Sequence, residues 1–235
     1  ILVHFGGMPC VMDDIISLCK KFNLTLIEDA AHSAGASYKN KRIGKHGSFV
    51  CFSFHPVKNL AMPTGGLISL NDKNHSKQKE ILFSRRWCGI SNRKGTKYDV
   101  KEIGWNYYMN EFSAAIGLVQ LKKLDKMNAK RKKIALRYYN ELNLQRKMPF
   151  NKNCVYHFYW ILVKNRKKFR EKLSKFGIET GTHYKPVHTF SMYKSTTKLP
   201  ITEHVGKQIV TLPTHPNLSD SEVTRIIHVI NNTTN

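Results

Sequence analysis

Apolar and polar positions mark out the first part of the chain as strand, helix, strand. Ile1 to Phe5 is a short apolar run that reads as a buried strand, and Gly6-Gly7 turns the chain after it. From Asp13 to Phe22, the apolar Ile15, Ile16 and Leu18 fall among polar residues and Lys20-Lys21 close the segment, the pattern of an amphipathic helix. Leu24-Thr25-Leu26-Ile27 then reads as a strand running into Glu28-Asp29. This order predicts a parallel α/β unit. Ligands of such sheets sit beyond the carboxyl ends of the strands, so an acidic residue after Ile27 is well placed for chemistry.

The next apolar run, Ser48 to Phe54, is continuous and reads as a central strand ending at His55-Pro56-Val57-Lys58. Gly65-Gly66 turns into another strand through Leu70, and Glu80 to Trp87 reads as helical. Glu111 to Leu142 holds no proline and a single glycine, Gly117, which predicts one long helix or two abutting ones. Leu118, Leu121, Leu124 and Ile134 would form its buried face. Past about residue 146 the pattern changes. Val155 to Val163 and Ile178 to Tyr184 read as strands, with a helix from Arg166 to Phe176 between them and Gly177 as its stop. Asp220 to Asn231 reads as a last helix capped by Ser219. The division expected is an α/β domain over 1–145, ending in the long helix, and a smaller α+β domain over 146–235.

The chain has 235 residues, 41% of them hydrophobic, enough to bury a core in one or two domains. No apolar run approaches the ~20 residues that span a bilayer. No secretory signal is visible at Ile1-Leu2-Val3-His4-Phe5. The chain opens without methionine and directly in a strand-like run, so a start upstream of Ile1 is expected. Cys10, Cys19, Cys51, Cys88 and Cys154 form no Cys-x-x-Cys pair, which argues against a zinc cluster or a disulfide framework and for a reducing cytoplasm.

The net charge of +23 is the one global feature that points to a polyanionic partner. It admits nucleic-acid binding, solvated lysine-rich helix faces, or cations that serve a phosphate-bearing small substrate.

Four residues carry candidate chemistry. Lys58 follows a buried strand and a proline. An amine held there can lose its proton more easily and condense with a carbonyl, although by position alone a surface lysine is the plainer reading. Asp29 at a strand end could hold a cofactor's ring nitrogen protonated, or cap a helix. His32 could donate to a phenolic oxygen, or be structural. Ser53 could bind phosphate, or simply end its strand.

Together these residues form an ordered set. Glu28-Asp29-Ala30-Ala31-His32-Ser33, then Phe52-Ser53-Phe54-His55-Pro56-Val57-Lys58-Asn59-Leu60 and Gly65-Gly66, resemble the DegT family of pyridoxal-phosphate (PLP)-dependent sugar aminotransferases. So do Gly104-Trp105-Asn106-Tyr107-Tyr108-Met109, the segment from Gly177-Ile178 to His188, and Leu212-Pro213-Thr214-His215-Pro216. The resemblance spans nearly the whole chain.

It implies a PLP-transferase-like α/β fold, with a parallel-rich sheet flanked by helices, and a homodimer with shared active sites. Lys58 would carry PLP as a Schiff base, Asp29 would pair with its pyridine nitrogen, His32 would lie by its phenolic oxygen and Ser53 would bind its phosphate. Asn106 would reach the phosphate of the neighbouring subunit, and His183 and His188 would lie near a sugar nucleotide. The reaction implied moves an amino group from glutamate to a nucleotide-linked keto-sugar. The rival readings are an inactive PLP-fold homologue serving as scaffold or regulator, and a basic nucleic-acid-binding protein; the latter gives no reason for the arrangement of Asp29, Ser53 and Lys58. Two departures stand out: Thr64 where the family commonly has glutamate in Gly-Glu-Gly-Gly, and Tyr108 where it often has arginine.

Overall fold

In the computed structural model, β1 (Leu2–Val3) leads through a glycine turn into α1 (Met12–Lys21). Asp13 and Asp14 occupy the first turn of α1 and Lys20 and Lys21 the last, each sign at the helix end that favours it. Then come β2 (Ile27–Asp29), a hairpin of β3 (Ser37–Tyr38) and β4 (Lys41–Arg42), β5 (Phe49–Ser53) and β6 (Gly66–Leu70). One sheet has the order β1-β2-β5-β6. β1 and β2 pair in parallel with Val3 opposite Asp29, β2 and β5 in parallel with Asp29 opposite Cys51, and β5 and β6 antiparallel with Ser53 opposite Gly66. This is the parallel-rich α/β sheet that the sequence predicts.

The structure describes residues 1–71, 75–193 and 196–234. They divide into two units, Ile1–Lys126 and Met127–Asn235. The first unit continues with α2 (His75–Arg86), a hairpin of β7 (Ile90–Lys94) and β8 (Lys97–Val100), and the start of α3 (Glu111–Glu141). The Asn110 carboxamide accepts the Ser113 amide at 2.8 Å and caps α3. Ala34, Leu60 and Leu124 form a buried cluster against which Phe52 and Phe54 pack.

α3 ends in the second unit, where β9 (Tyr159–Leu162), α4 (Arg166–Lys175), α5 (Pro200–Gln208), β10 (Ile209–Leu212) and α6 (Asp220–Thr234) follow. β9 and β10 pair antiparallel, and all four residues of β10 are buried. α4 stops where Gly177 takes φ +66°, with Ile178 N bonded back to Leu173 O. Ser219 and Glu222 close a reciprocal capping box at the start of α6.

Tyr159 is the hub of this unit. Its ring lies 5.3 Å from that of Tyr138 and 6.3 Å from that of Tyr156, and its hydroxyl donates to Met148 O at 2.7 Å. Tyr159→Ala is expected to cost about 3–5 kcal/mol in urea unfolding, the range for emptying a buried aromatic site. Tyr159→Phe keeps the ring and strips a carbonyl of its donor, at about 1 kcal/mol. A wild-type midpoint for Tyr159→Ala would refute this placement of the core.

Several expected elements are altered. The strand expected at Leu24–Ile27 is shifted to Ile27–Asp29. The Ile1–Phe5 strand shrinks to Leu2–Val3, and Ile1 is 95% exposed rather than buried. The Val155–Val163 strand shrinks to Tyr159–Leu162, and Ile178–Tyr184 is irregular, with a backbone bridge to the sheet at Gly181–Thr211. In α3, Leu118 is 64% and Leu121 54% exposed. Leu124 and Ile134 are buried as expected, and the stripe reaches them through Ser113, Gly117, Asn128 and Arg131.

Candidate active site

The carboxyl ends of β1, β2 and β5 lie side by side, joined by backbone bonds one step past the strands. His4 N donates to Asp29 O at 3.1 Å and Ala30 N to Cys51 O at 2.8 Å. β6 runs the other way and so begins at this same end, where Phe54 N donates to Gly65 O at 3.0 Å. Gly66 must lack a side chain, because a Cβ there would lie 2.8 Å from Phe52 O. The loop from His55 to Thr64 is thus tied at its base. Its turn is set by Lys58 N donating to His55 O at 2.8 Å, and Asn59, Leu60 and Met62 are buried beneath it.

Lys58 is half-buried on this loop. Burial lowers the pKa of its ammonium, and the negative charge of Asp29 opposes that shift. The two groups are therefore close enough to sense one another. The Asp29 carboxylate accepts the Ala31 amide at 3.0 Å, which orients it just past β2. The same carboxylate adds to burial in raising the pKa of the Cys51 thiol on the facing strand. The Ser53 hydroxyl accepts the His55 amide at 3.3 Å, which leaves its own proton to donate elsewhere. His32 is buried, and its Nδ1 accepts the Gly6 amide at 3.3 Å, so the proton of the neutral ring sits on Nε2.

Asn106 stands apart from this group. It is exposed, on a segment paired with Trp87 at the end of α2, and among the described residues its side chain has no hydrogen-bond partner. His183 and His188 belong to the second unit. His183 stacks on Phe158 at 5.0 Å and its Nδ1 meets Thr211 Oγ1 at 2.7 Å. His188 Nε2 lies 3.2 Å from Glu203 Oε1. The Leu199 amide and His188 together hold the Glu203 carboxyl below its usual pKa. A cleft beside His183 is lined by Glu179, Thr180, Thr211, His215 and Arg225.

Asp29 and Lys58 thus lie at and beyond the carboxyl ends of the neighbouring parallel strands β2 and β5. The model of the DegT/DnrJ/EryC1/StrS aminotransferase family matches residues 1–231. The chain belongs to that family. It is 34% identical over 240 residues to GDP-perosamine synthase of Escherichia coli O157:H7, covering 97% of this chain and 64% of the relative. PseC of Helicobacter pylori, an aminotransferase involved in the biosynthesis of pseudoaminic acid, superimposes with a TM-score of 0.91 at 31% identity, over 99% of this chain and 65% of PseC. Spr1654 of Streptococcus pneumoniae in its PLP form gives a TM-score of 0.89 at 25% identity, over 99% of this chain and 67% of its own. The chain therefore spans just under two thirds of the length of the curated relatives it matches.

Both departures from the DegT-family pattern are solvent-facing. Thr64 is exposed at the end of the Lys58 loop, and Tyr108 is exposed with Arg86 over its ring at 5.7 Å. Sequence reasoning gave no role to His4 and Glu28. Both are fully buried, with His4 Nε2 2.7 Å from Glu28 Oε2. The available signal was weak: a charged residue on a buried strand requires a partner, but this partner lies 24 residues away.

Proposed function

We propose that this protein is a PLP-dependent aminotransferase that moves an amino group from glutamate to a nucleotide-linked keto-sugar, with Lys58 as the lysine that carries the cofactor. The observation that carries the reading is the placement of Asp29 and the half-buried Lys58 at and beyond the carboxyl ends of the paired parallel strands β2 and β5. A PLP site requires an amine for the aldehyde, a carboxylate for the pyridine nitrogen and donors for the phosphate. Lys58, Asp29 and Ser53 fit those needs by type and by position on one end of one sheet. GDP-perosamine synthase and PseC support a sugar substrate.

When bound, PLP supplies an aldehyde that condenses with amines and a pyridinium ring that draws electron density from the carbon beside it. Asp29 holds the proton at the ring nitrogen. His32 donates from Nε2 to the phenolic oxygen, and Ser53 donates to the phosphate. Lys58 Nζ takes a proton from the donor's α-carbon as general base. Its lowered pKa serves this step by enlarging the uncharged fraction. His183 and His188 contact the sugar nucleotide. The test is reduction with borohydride after adding PLP. The cofactor is expected to be fixed to the peptide that contains Lys58, and fixation elsewhere or nowhere overturns the reading.

The working assembly is a homodimer, in which Asn106 serves the neighbouring subunit's phosphate site. Exposed Trp105, Tyr107 and Phe112, the last at 84% exposure, support this, because burying such a run against a second copy is favourable. Phe112→Asp is expected to shift sedimentation toward monomer, and an unchanged dimer would refute the assignment. No helix among the described residues is long and apolar enough to cross a membrane, and the five cysteines are unpaired, which supports a reducing cytoplasm.

A further inference from the structure

Successive residues of a strand face opposite sides of a sheet. Asp29 and Glu28 therefore point apart, and Glu28 points into the interior. A buried carboxylate is costly unless each oxygen finds a donor. Glu28 finds both: Oε2 meets His4 Nε2 at 2.7 Å, and Oε1 accepts the Gly47 amide in the turn before β5. Gly47 has to be glycine for this, since a Cβ there would lie 2.6 Å from Glu28 Oε1.

His4 is held from its other side as well. Its Nδ1 accepts the Cys10 amide at 3.2 Å, which leaves the ring proton on Nε2 to be donated to Glu28. The backbone of His4 then grips the segment after β2 at both ends. Its amide donates to Asp29 O at 3.1 Å and its carbonyl accepts the Ser33 hydroxyl at 3.3 Å. Two residues on, Gly6 N holds His32. The His4–Glu28 pair thus ties together β1, β2 and the turn into β5, directly behind Asp29 and His32.

We infer that His4 and Glu28 are positioning residues: a buried hydrogen-bonded pair that holds the Asp29–His32 segment in the form that grips the pyridine ring of PLP. This rests on the cofactor reading proposed above. Neither residue touches the cofactor in this scheme; both act through the backbone of His4, which holds the Asp29 carbonyl and the Ser33 hydroxyl. Glu28→Gln tests it with little change in volume. A carboxamide presents one acceptor, so either Gly47 N or His4 Nε2–H is left facing an NH2 group. His4 cannot relieve this by moving its proton, because Nδ1–H would then face the Cys10 amide.

The experiment titrates the protein with PLP and follows the visible band of the bound cofactor against pH. Glu28→Gln is expected to weaken PLP binding about 10-fold, the effect of losing one charge-assisted hydrogen bond, and to shift the pH midpoint of the band. Ile161→Ala, a buried truncation in the second unit, serves as the control for loss of Tm and is expected to leave that midpoint where it was. Ser33→Ala removes only the hydroxyl on His4 O and is expected to act in the same sense, about twofold to threefold; it decides the matter if Glu28→Gln does not fold. Wild-type affinity and midpoint in folded Glu28→Gln, or in Ser33→Ala where that variant decides, overturns the inference while leaving the cofactor assignment intact. Absence of any Lys58-dependent band in the unmodified protein overturns both.

Discussion

Lys58→Ala is expected to lower amino transfer by about 10⁴-fold or more, since in the proposed scheme it removes both the amine that carries the cofactor and the general base, and the base alone contributes about 10²–10⁴. The fold should survive the change. The Lys58 loop is anchored by buried Asn59, Leu60 and Met62. In the absence of cofactor the substitution should even be favourable. The folded-state pKa of Lys58 lies below its ordinary value, so the unfolded chain binds the proton more tightly. Through this group stability rises as pH climbs from the folded pKa toward 10.5, and below that window the buried ammonium is a standing cost. The cofactor-free variant should therefore melt no lower than wild type at pH 7, and the difference should narrow above pH 10. A lower melting temperature at pH 7 would mean that the Lys58 side chain contributes to folding.

Asp29→Asn should lower kcat by about 10²–10³-fold, the range for removing one preorganised electrostatic group from a reacting site. The carboxamide oxygen can still accept the Ala31 amide, so the turn after β2 is retained and only the charge is lost. A second effect follows from the coupling to Lys58. Asp29 opposes the lowering of the Lys58 pKa, so its neutralisation moves that pKa further down. The low-pH limb of the rate profile should shift to lower pH in step. A fall in kcat with an unmoved limb would separate Asp29 from Lys58 and assign it to the ring nitrogen alone.

What was legible in the sequence was what local chemistry decides. The continuous run of β5 and the glycine pair at β6 set the sheet end, and the lysine pair closing α1 and the Ser219 cap of α6 marked their helices. Less legible was anything fixed by tertiary context. Leu118 and Leu121 match a helical stripe, yet the buried stripe of α3 passes through Ser113, Gly117 and Arg131, where a small residue or a hydrogen-bonded guanidinium fits against neighbours. Ile178 to Tyr184 has the apolar content of a strand, but backbone bonds join it to β10 only at Gly181. Asp29, His32, Ser53 and Lys58 were visible as an ordered motif, whereas the role of His4 behind them depends on a fold that brings residues 4 and 28 together.

The base of the Lys58 loop is closed by Phe54 N on Gly65 O and by the pairing of Ser53 with Gly66. Exposed Pro56, Val57, Pro63 and Thr64 lie within that closure, and buried Asn59, Leu60 and Met62 hold it to the core. The segment is thus a cassette with fixed ends. Lineages could rewrite its rim, as the Thr64 replacement illustrates, without retuning the sheet, and an engineer could exchange Pro56, Val57, Pro63 and Thr64 as a single graft while the lysine keeps its address.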